Sequence, residues 1–499
     1  MMMTKWRHSL LLVLVLAAGA VANAATYFFD YNSRCQQAYQ AYLSFRINEG
    51  DELIRKEFAA NPNNLMATYL ADYGDFFALM FRGSKDELKR RQPYYQKRLS
   101  ILDNAADNDP WKDFTRAGIH LHWALIHGWY GDQFKAATTF RKSYLLLKSN
   151  ASRFPSFQQN DILLGVEEAT AGTIPDEYKW FASILGMKGN VVNGLNRLNR
   201  FLDNNPSVHT PLRSEAVVYN IYLRFYLLSQ KDEVWKIVNS SNFPLAGNLF
   251  HYFIKANISL NYHKADMAFQ TLKEAAAMPG YSQIPSFDYE MGNALFHKLD
   301  ASCITYFSRF LSNNAIGIYS KDALMKSGLI YYLQGDMAKA NELRQTIGQY
   351  GSTITDADKQ AQRFHKEGNW PNVTLLQARI LIDGGFSSQA LSKLQQLDPG
   401  KLSSMSDKLE YAYRTGRAYE ETDDFQKAVQ YYQQAINTGK DLRDQFAARS
   451  ALQMALIYEH HNQKKEALQY FQLCLSMKHH DFQASIDQQA KAGINRLSN

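Results

Sequence analysis

The chain has 499 residues with 55 basic and 48 acidic side chains, a formal net charge of +7. That length exceeds the roughly 250–300 residues that one hydrophobic core fills, so several domains or a repeat array are required. A charge this mild and this widely spread lacks the concentrated basic stripe that nucleic acid calls for, and no nucleic-acid partner is expected. Twelve prolines is about half the usual frequency of roughly 5%, and alternating Val/Ile/Thr segments bounded by turn dipeptides are almost missing. Both features predict an all-α chain.

Residues 1–24 read as a signal peptide. Lys5 and Arg7 precede the apolar run Leu10 to Leu16, and Ala22-Asn23-Ala24 offers small residues for cleavage before Ala25. The run is too short for a permanent membrane helix, which needs about 20 apolar residues. The first cysteine, Cys35, lies well past the cut, so no lipid anchor is expected. No later stretch reaches the roughly 18 uninterrupted apolar residues of a membrane span. The expectation is an exported chain, periplasmic or secreted, whose net charge falls to about +5 with the leader removed.

From residue 25 onward one template recurs: a small residue, a bulky one three later, a small one at twelve, a bulky one at sixteen, and a small or apolar one at nineteen. Two antiparallel helices explain it. The small residues let the backbones cross closely, and the bulky ones fill the gaps between successive pairs. In chain order the copies begin Ala38-Ala41-Gly50-Ile54, ending at Pro62, and Ala124-His127-Ala136-Phe140-Ser143. Ala182-Leu185-Gly194-Leu198-Phe201, ending at Pro206, and Ala256-Ser259-Ala268-Leu272-Ala275 follow. Next come Gly292-Leu295-Ile304-Ser308-Leu311 and Gly328-Tyr331-Ala340-Arg344, then Ala378-Leu381-Ala390-Leu394-Leu397. The clearest are Gly416-Tyr419-Ala428-Tyr432-Ala435 and Ala455-Tyr458-Ala467-Phe471-Cys474. The wide step from 328 to 378 holds an insertion around 351–370. Turn signals fall between the paired helices at Gly131-Asp132, Gly335-Asp336, Gly384-Gly385 and Asp423-Asp424. The expected division is 25–206 for degenerate N-terminal repeats, 207–400 for middle repeats with the insertion, and 401–499 for a C-terminal pair and capping helix.

This pattern resembles the tetratricopeptide repeat family over most of the chain beyond the leader, most strongly from 407 to 478. The resemblance implies an all-α, right-handed superhelical solenoid of antiparallel helix pairs. The steps 256 to 292 and 292 to 328 are both 36 residues, 378 to 416 is 38 and 416 to 455 is 39, against about 34 in the family. The segment Gly172-Thr173-Ile174-Pro175, Ile184-Leu185-Gly186, Lys188-Gly189-Asn190 and Gly194-Leu195 also resembles the tetratricopeptide-repeat-39 and inclusion-body-clearance family. Met187 and Asn190 stand where that family has Phe and Asp.

In the tetratricopeptide family the first helix of each pair lines a concave groove. The lining positions include those six and three before the small anchor and one and four after it. The resemblance therefore implies groove residues Glu410, Tyr413, Arg417 and Glu420 around Gly416, and Asn372, Leu375 and Arg379 around Ala378. Met325 and Tyr332 flank Gly328, and Phe253 and Asn257 flank Ala256. Mixed Arg, Asn, Tyr and Glu suit an extended protein or peptide segment, whose end groups and backbone need pre-placed partners.

Chemistry is not expected. His120 and His127 share a helical face but lack the i,i+4 spacing or Cys pairs of a zinc site. No phosphate-binding loop, nucleophile elbow or Cys-x-x-Cys is present, so no metal, cofactor or catalytic residue is assigned. Glu167-Glu168, the one acidic doublet in an apolar context, reads as a solvated face. Cys35, Cys303 and Cys474 read as small packing residues. The expected function is an exported scaffold holding a protein or peptide. The alternatives are a carbohydrate-binding protein similar in architecture to the SusD-like proteins, given 13% aromatic residues, and a helical-toroid hydrolase or lyase.

Overall fold

A computed structural model describes residues 26–173, 189–207, 209–241, 243–314 and 317–498. The expected leader, and Ala182 and Leu185 of the third copy, lie outside the described residues. The chain falls into two compact units, one made of residues up to 80 with 86–229, the other of 81–85 with 230 onward. The expected boundaries at 206 and 400 fall inside the first and second unit respectively.

In the first part of the chain the helices are α1 (Ser33–Leu43), α2 (Ile47–Ala60), α3 (Leu65–Phe81), α4 (Lys85–Leu102), α5 (Pro110–Trp129), α6 (Gln133–Arg153), α7 (Asn160–Gly172), α8 (Val191–Asn204) and α9 (Arg213–Tyr222). The second unit runs through α10 (Lys231–Val238), α11 (Leu249–Asn261), α12 (Ala265–Ala275), α13 (Pro285–Phe296), α14 (Cys303–Asn313), α15 (Ser320–Leu333) and α16 (Met337–Gln349). It continues as α17 (Asp356–Glu367), α18 (Val373–Asp383), α19 (Ser387–Gln395), α20 (Met405–Glu420), α21 (Phe425–Gly439), α22 (Phe446–His460), α23 (Lys464–Ser476) and α24 (Gln483–Ser498). Among the described residues no strand forms, only a one-residue bridge between Phe28 and Asn64, and no helix is long and apolar enough to cross a membrane.

Consecutive helices pack as hairpins, α1 on α2, α5 on α6, α11 on α12, α13 on α14, α15 on α16, α18 on α19, α20 on α21 and α22 on α23. Within the second unit first helices also meet first helices: α11 touches α13, α13 touches α15, α18 touches α20, and α20 touches α22. The chain is therefore all-α, built of stacked antiparallel pairs. The backbone fixes the phase of the repeat independently of side chains. Seven residues after the small anchor, the turn between paired helices holds one residue in the left-handed region: Phe45, Gly131, His263, Leu299, Gly335, Gly385, Asp423 and Asn462. Ser229 also sits in the left-handed region, at the end of the first unit.

The small residues sit where close crossing needs them. Ala428, Ala455 and Ala467 are fully buried, and a Cβ on Gly416 would lie 2.7 Å from the Tyr432 ring. Gly416→Ala should cost about 1–2 kcal/mol by overpacking, read as a lowered melting temperature. An unchanged value would mean that Tyr432 moves aside freely. One copy is out of register. In α14 the buried residues are Cys303, Phe307 and Phe310, whereas Ile304, Ser308 and Leu311 are half-buried or exposed. Its second helix thus begins one residue early, and the Phe307 ring fills the space above Gly292.

The insertion forms α17, which packs on both α15 and α16 in the place of the next pair's first helix. Asp358 holds it there. Fully buried, its carboxylate accepts from the backbone N–H groups of Tyr319, Lys321 and Asp322 at 2.7, 3.1 and 3.3 Å, and from the Thr355 hydroxyl at 2.8 Å. These N–H groups open α15, where a helix leaves donors without intrahelical partners.

Candidate functional site

The expected groove residues fall into two groups, both in the second unit. Around α20, Glu410 pairs with Arg414 at 3.2 Å, and Arg417 pairs with Glu420 at 3.4 Å and Glu421 at 2.5 Å. These are one-turn pairs along a single helix face, spaced by i,i+3 and i,i+4. Glu420 also accepts from the Tyr432 hydroxyl of α21. Arg379, on the neighbouring α18, differs from all of these. Half-buried, its guanidinium makes no hydrogen bond or ion pair to any described residue. Burial lowers its pKa from the ordinary arginine value; Glu410 and Asp383 oppose that shift and Arg414 reinforces it. A cation that stays charged, with carboxylates near it but none in hydrogen-bond contact, has its donors unsatisfied. Unsatisfied donors of this kind mark a candidate binding position.

Three expected residues are engaged elsewhere. Tyr413 is 5% exposed and packs against Phe446 and Tyr432, with ring centroids 5.6 and 6.1 Å apart. It belongs to the core, because α22 stacks over that face of α20. Asn372 caps α18, its side-chain oxygen accepting from the N–H groups of Thr374 and Leu375. Tyr332 is covered by the insertion, stacked 4.6 Å from Trp370 with its hydroxyl donating to Pro371 O at 2.8 Å. Leu375 is fully buried and Met325 is 9% exposed, so neither is open to a ligand.

The second group is a polar ladder across α11, α13 and α15. Asn257 Nδ2 donates to Glu290 Oε1 at 2.9 Å, Lys326 Nζ donates to Asn293 Oδ1 at 2.6 Å, and Lys326 pairs with Asp322 at 2.6 Å. The Tyr289 hydroxyl donates to Asp322 at 2.7 Å. Burial pushes the Glu290 carboxyl up to about 7, with Asn257 and Lys326 opposing. Asn257 was expected; Tyr289 and Asn293 were not, although they stand three before and one after Gly292. The family's lining rule applied to that copy would have found both.

The remaining candidates resolve into packing. His122 Nδ1 lies 2.9 Å from Asp72, and the Tyr95 hydroxyl lies 2.6 Å from His120 Nδ1, inside the first unit. Cys35, Cys303 and Cys474 are unpaired and buried, and burial pushes each thiol up to about 12. Glu168 pairs with Arg197 at 2.8 Å, but Glu167 does not lie on a solvated face. It is fully buried, with no partner for either carboxylate oxygen.

Stacked helix hairpins with polar rows along their first helices define a helical-repeat interaction scaffold. Models of the tetratricopeptide repeat match residues 322–348, 413–446 and 448–479, and the chain is a tetratricopeptide-repeat protein. No curated protein sequence matches it. Among solved structures, a monomeric IFIT1 mutant with Gppp-AAAA overlaps 83% of this chain and 92% of its own at 12% identity and a TM-score of 0.39. Yeast Tom70 overlaps 93% and 96% at 12% identity and 0.28. The Cut9–Hcn1 hetero-tetramer of APC/C overlaps 93% and 97% at 9% identity and 0.27. These superpositions are loose, and the architecture rests on the helix pairs and their turns.

Proposed function

We propose that the chain is an exported scaffold that holds a protein or peptide segment against the α18–α20 face of the second unit, with Arg379 as the anchoring group. Export rests on Lys5, Arg7, the run Leu10 to Leu16 and Ala22-Asn23-Ala24. The observation that carries the binding reading is the unpartnered Arg379 guanidinium, beside an Arg414 already committed to Glu410. A carboxylate or carbonyl of the ligand would supply the missing acceptor, and a charge-assisted bond at a desolvated site is strong. The surrounding charges alternate in sign, Arg414 and Arg417 against Glu410, Glu420 and Glu421. Such a face suits a polypeptide of mixed polarity better than a polyanion. No catalytic role is proposed.

The test is Arg379→Gln. Affinity for whatever partner co-purifies with the mature chain should fall about tenfold or more, the loss of roughly 1.4 kcal/mol. The melting temperature should hold or rise, since the arginine has no partner in the free protein. Unaltered affinity would remove Arg379, and with it the proposed face.

A further inference from the structure

The mild net charge of the chain conceals a local concentration. Helices α4 and α6 of the first unit carry eleven basic residues against two acidic ones, an excess larger than the +7 of the whole chain. On α6 alone there are five cations and no acid. The two helices lie close together. The Tyr95 hydroxyl of α4 is 2.6 Å from His120 Nδ1 of α5, and that same ring has its pKa lowered by burial and next by Lys142 of α6. Two cations of α4, Arg91 and Arg98, are held inside the fold by Asp75. Lys85 and Lys97 of α4, and Lys142 and Lys148 of α6, are exposed and form no ion pair with any described residue.

The faces of α6 run against the usual rule for a surface helix, apolar inward and polar outward. Three of its five buried residues, Thr139, Ser143 and Asn150, are polar. Its outward stripe, at spacings of four, three, four and three, runs Phe134, Thr138, Arg141, Leu145 and Lys148. Phe134 is 71% exposed and Leu145 38%. Val192 of α8, two residues before Gly194 as Phe134 is before Ala136, is 51% exposed, and Tyr94 of α4 is 49%. We propose that this face of the first unit docks on an anionic phospholipid bilayer, its lysines meeting the phosphate headgroups while Phe134 and Leu145 enter the boundary with the acyl chains. Apolar side chains standing among cations, with no acid between them, are what an interfacial helix presents. Lysine suits a bilayer, because its long stem lies along apolar surface while the ammonium stays at the headgroups. Protein–protein interfaces, by contrast, are depleted in lysine. A nucleic acid would find cations for its phosphates here, but Leu145 and Val192 give its bases nothing to stack on. This docking is independent of the α18–α20 face and of any ligand there.

The test uses the chain from Ala25, which keeps every described helix and lacks the leader's own apolar run. It should sediment with phosphatidylcholine vesicles containing about 30% phosphatidylglycerol, at least about tenfold more tightly than with phosphatidylcholine alone. That gain should disappear as salt rises from about 0.1 M to about 1 M, where the screening length shrinks from roughly 10 Å to roughly 3 Å. Lys135→Ala with Lys142→Ala and Lys148→Ala should weaken binding roughly a hundredfold, at about fivefold per lysine. Phe134→Ser should weaken it about tenfold and leave the salt dependence as it was. Lys464→Ala with Lys465→Ala, at the exposed start of α23, should change nothing. Helical circular dichroism should match the parent in every variant, since all the replaced side chains are exposed. Equal retention on neutral and anionic vesicles, an equal loss in the α23 variant, or a Phe134→Ser chain that binds as the parent does overturns the proposal. So does capture by heparin or single-stranded RNA with no vesicle bound, which would assign the face to another polyanion.

Discussion

Asp358→Ala is expected to lower the stability of the second unit by about 3–5 kcal/mol, the range for removing one side of a buried charge-based interaction. The side chain is fully buried and receives three N–H groups from the start of α15. Each orphaned donor costs about 1–3 kcal/mol in a buried site. The same carboxylate accepts from Thr355, which caps α17, so the loss reaches both helices. Asp358→Asn keeps one acceptor oxygen and should lose clearly less. Hydrogen exchange of peptides from α15 and α17 resolves the effect within a chain of two units, where a single melting temperature is ambiguous. Equal protection in the wild type and the alanine variant would show that α17 is held by its apolar contacts alone.

Glu167→Met should act in the opposite direction, stabilising the first unit by about 1–4 kcal/mol at pH 7.5. Burial raises the Glu167 carboxyl well above its ordinary value, with Glu168 adding to the shift and Ser143 opposing it. The hydroxyl of Ser143, on the facing α6, already donates to Ala117 O at 2.7 Å. A carboxyl whose pKa rises on folding is least costly below its unfolded value near 4.3, and the penalty grows as pH rises toward the folded value. The advantage of methionine, similar in volume and without a charge, should therefore be largest at pH 7 to 8 and shrink toward pH 4.5. Denaturant titrations at the two pH values measure this. A pH-independent difference would point to packing rather than ionisation.

The repeat was legible in the sequence because its determinants are local. Small and bulky residues alternate within one hairpin, and their spacing places Gly416 against Tyr432 without reference to the rest of the chain. Where the local pattern slipped, reading slipped with it: the early start of α14 moved the buried set from Ile304 and Ser308 to Cys303 and Phe307. The groove was legible only in part. Arg379, Glu410, Arg417, Glu420 and Asn257 lie together in the two polar groups, since helical spacing alone assigns a face. The occupation of Tyr332 by Trp370 depends on an insertion whose course no period encodes. Asn372 carried a readable signal, an asparagine immediately before Val-Thr-Leu, which is a helix start. Glu167 was misread because a doublet of acids gives no hint which of the two turns inward.

The first unit holds one tie of exceptional span. Tyr73 on α3 donates to Glu215 on α9 at 2.5 Å, joining positions 142 apart in the chain, and Tyr219 donates to the same carboxylate at 2.6 Å. Arrays of this kind usually tolerate shortening from either end, since each hairpin answers only to its neighbours. Here a fragment ending before Arg213 would strip Tyr73 of its acceptor and leave the buried Tyr39 and Tyr69 without the helix beside them. Nascent chain has to reach that far before the opening hairpins can complete their packing, which makes assembly of this half slower than its helical content suggests.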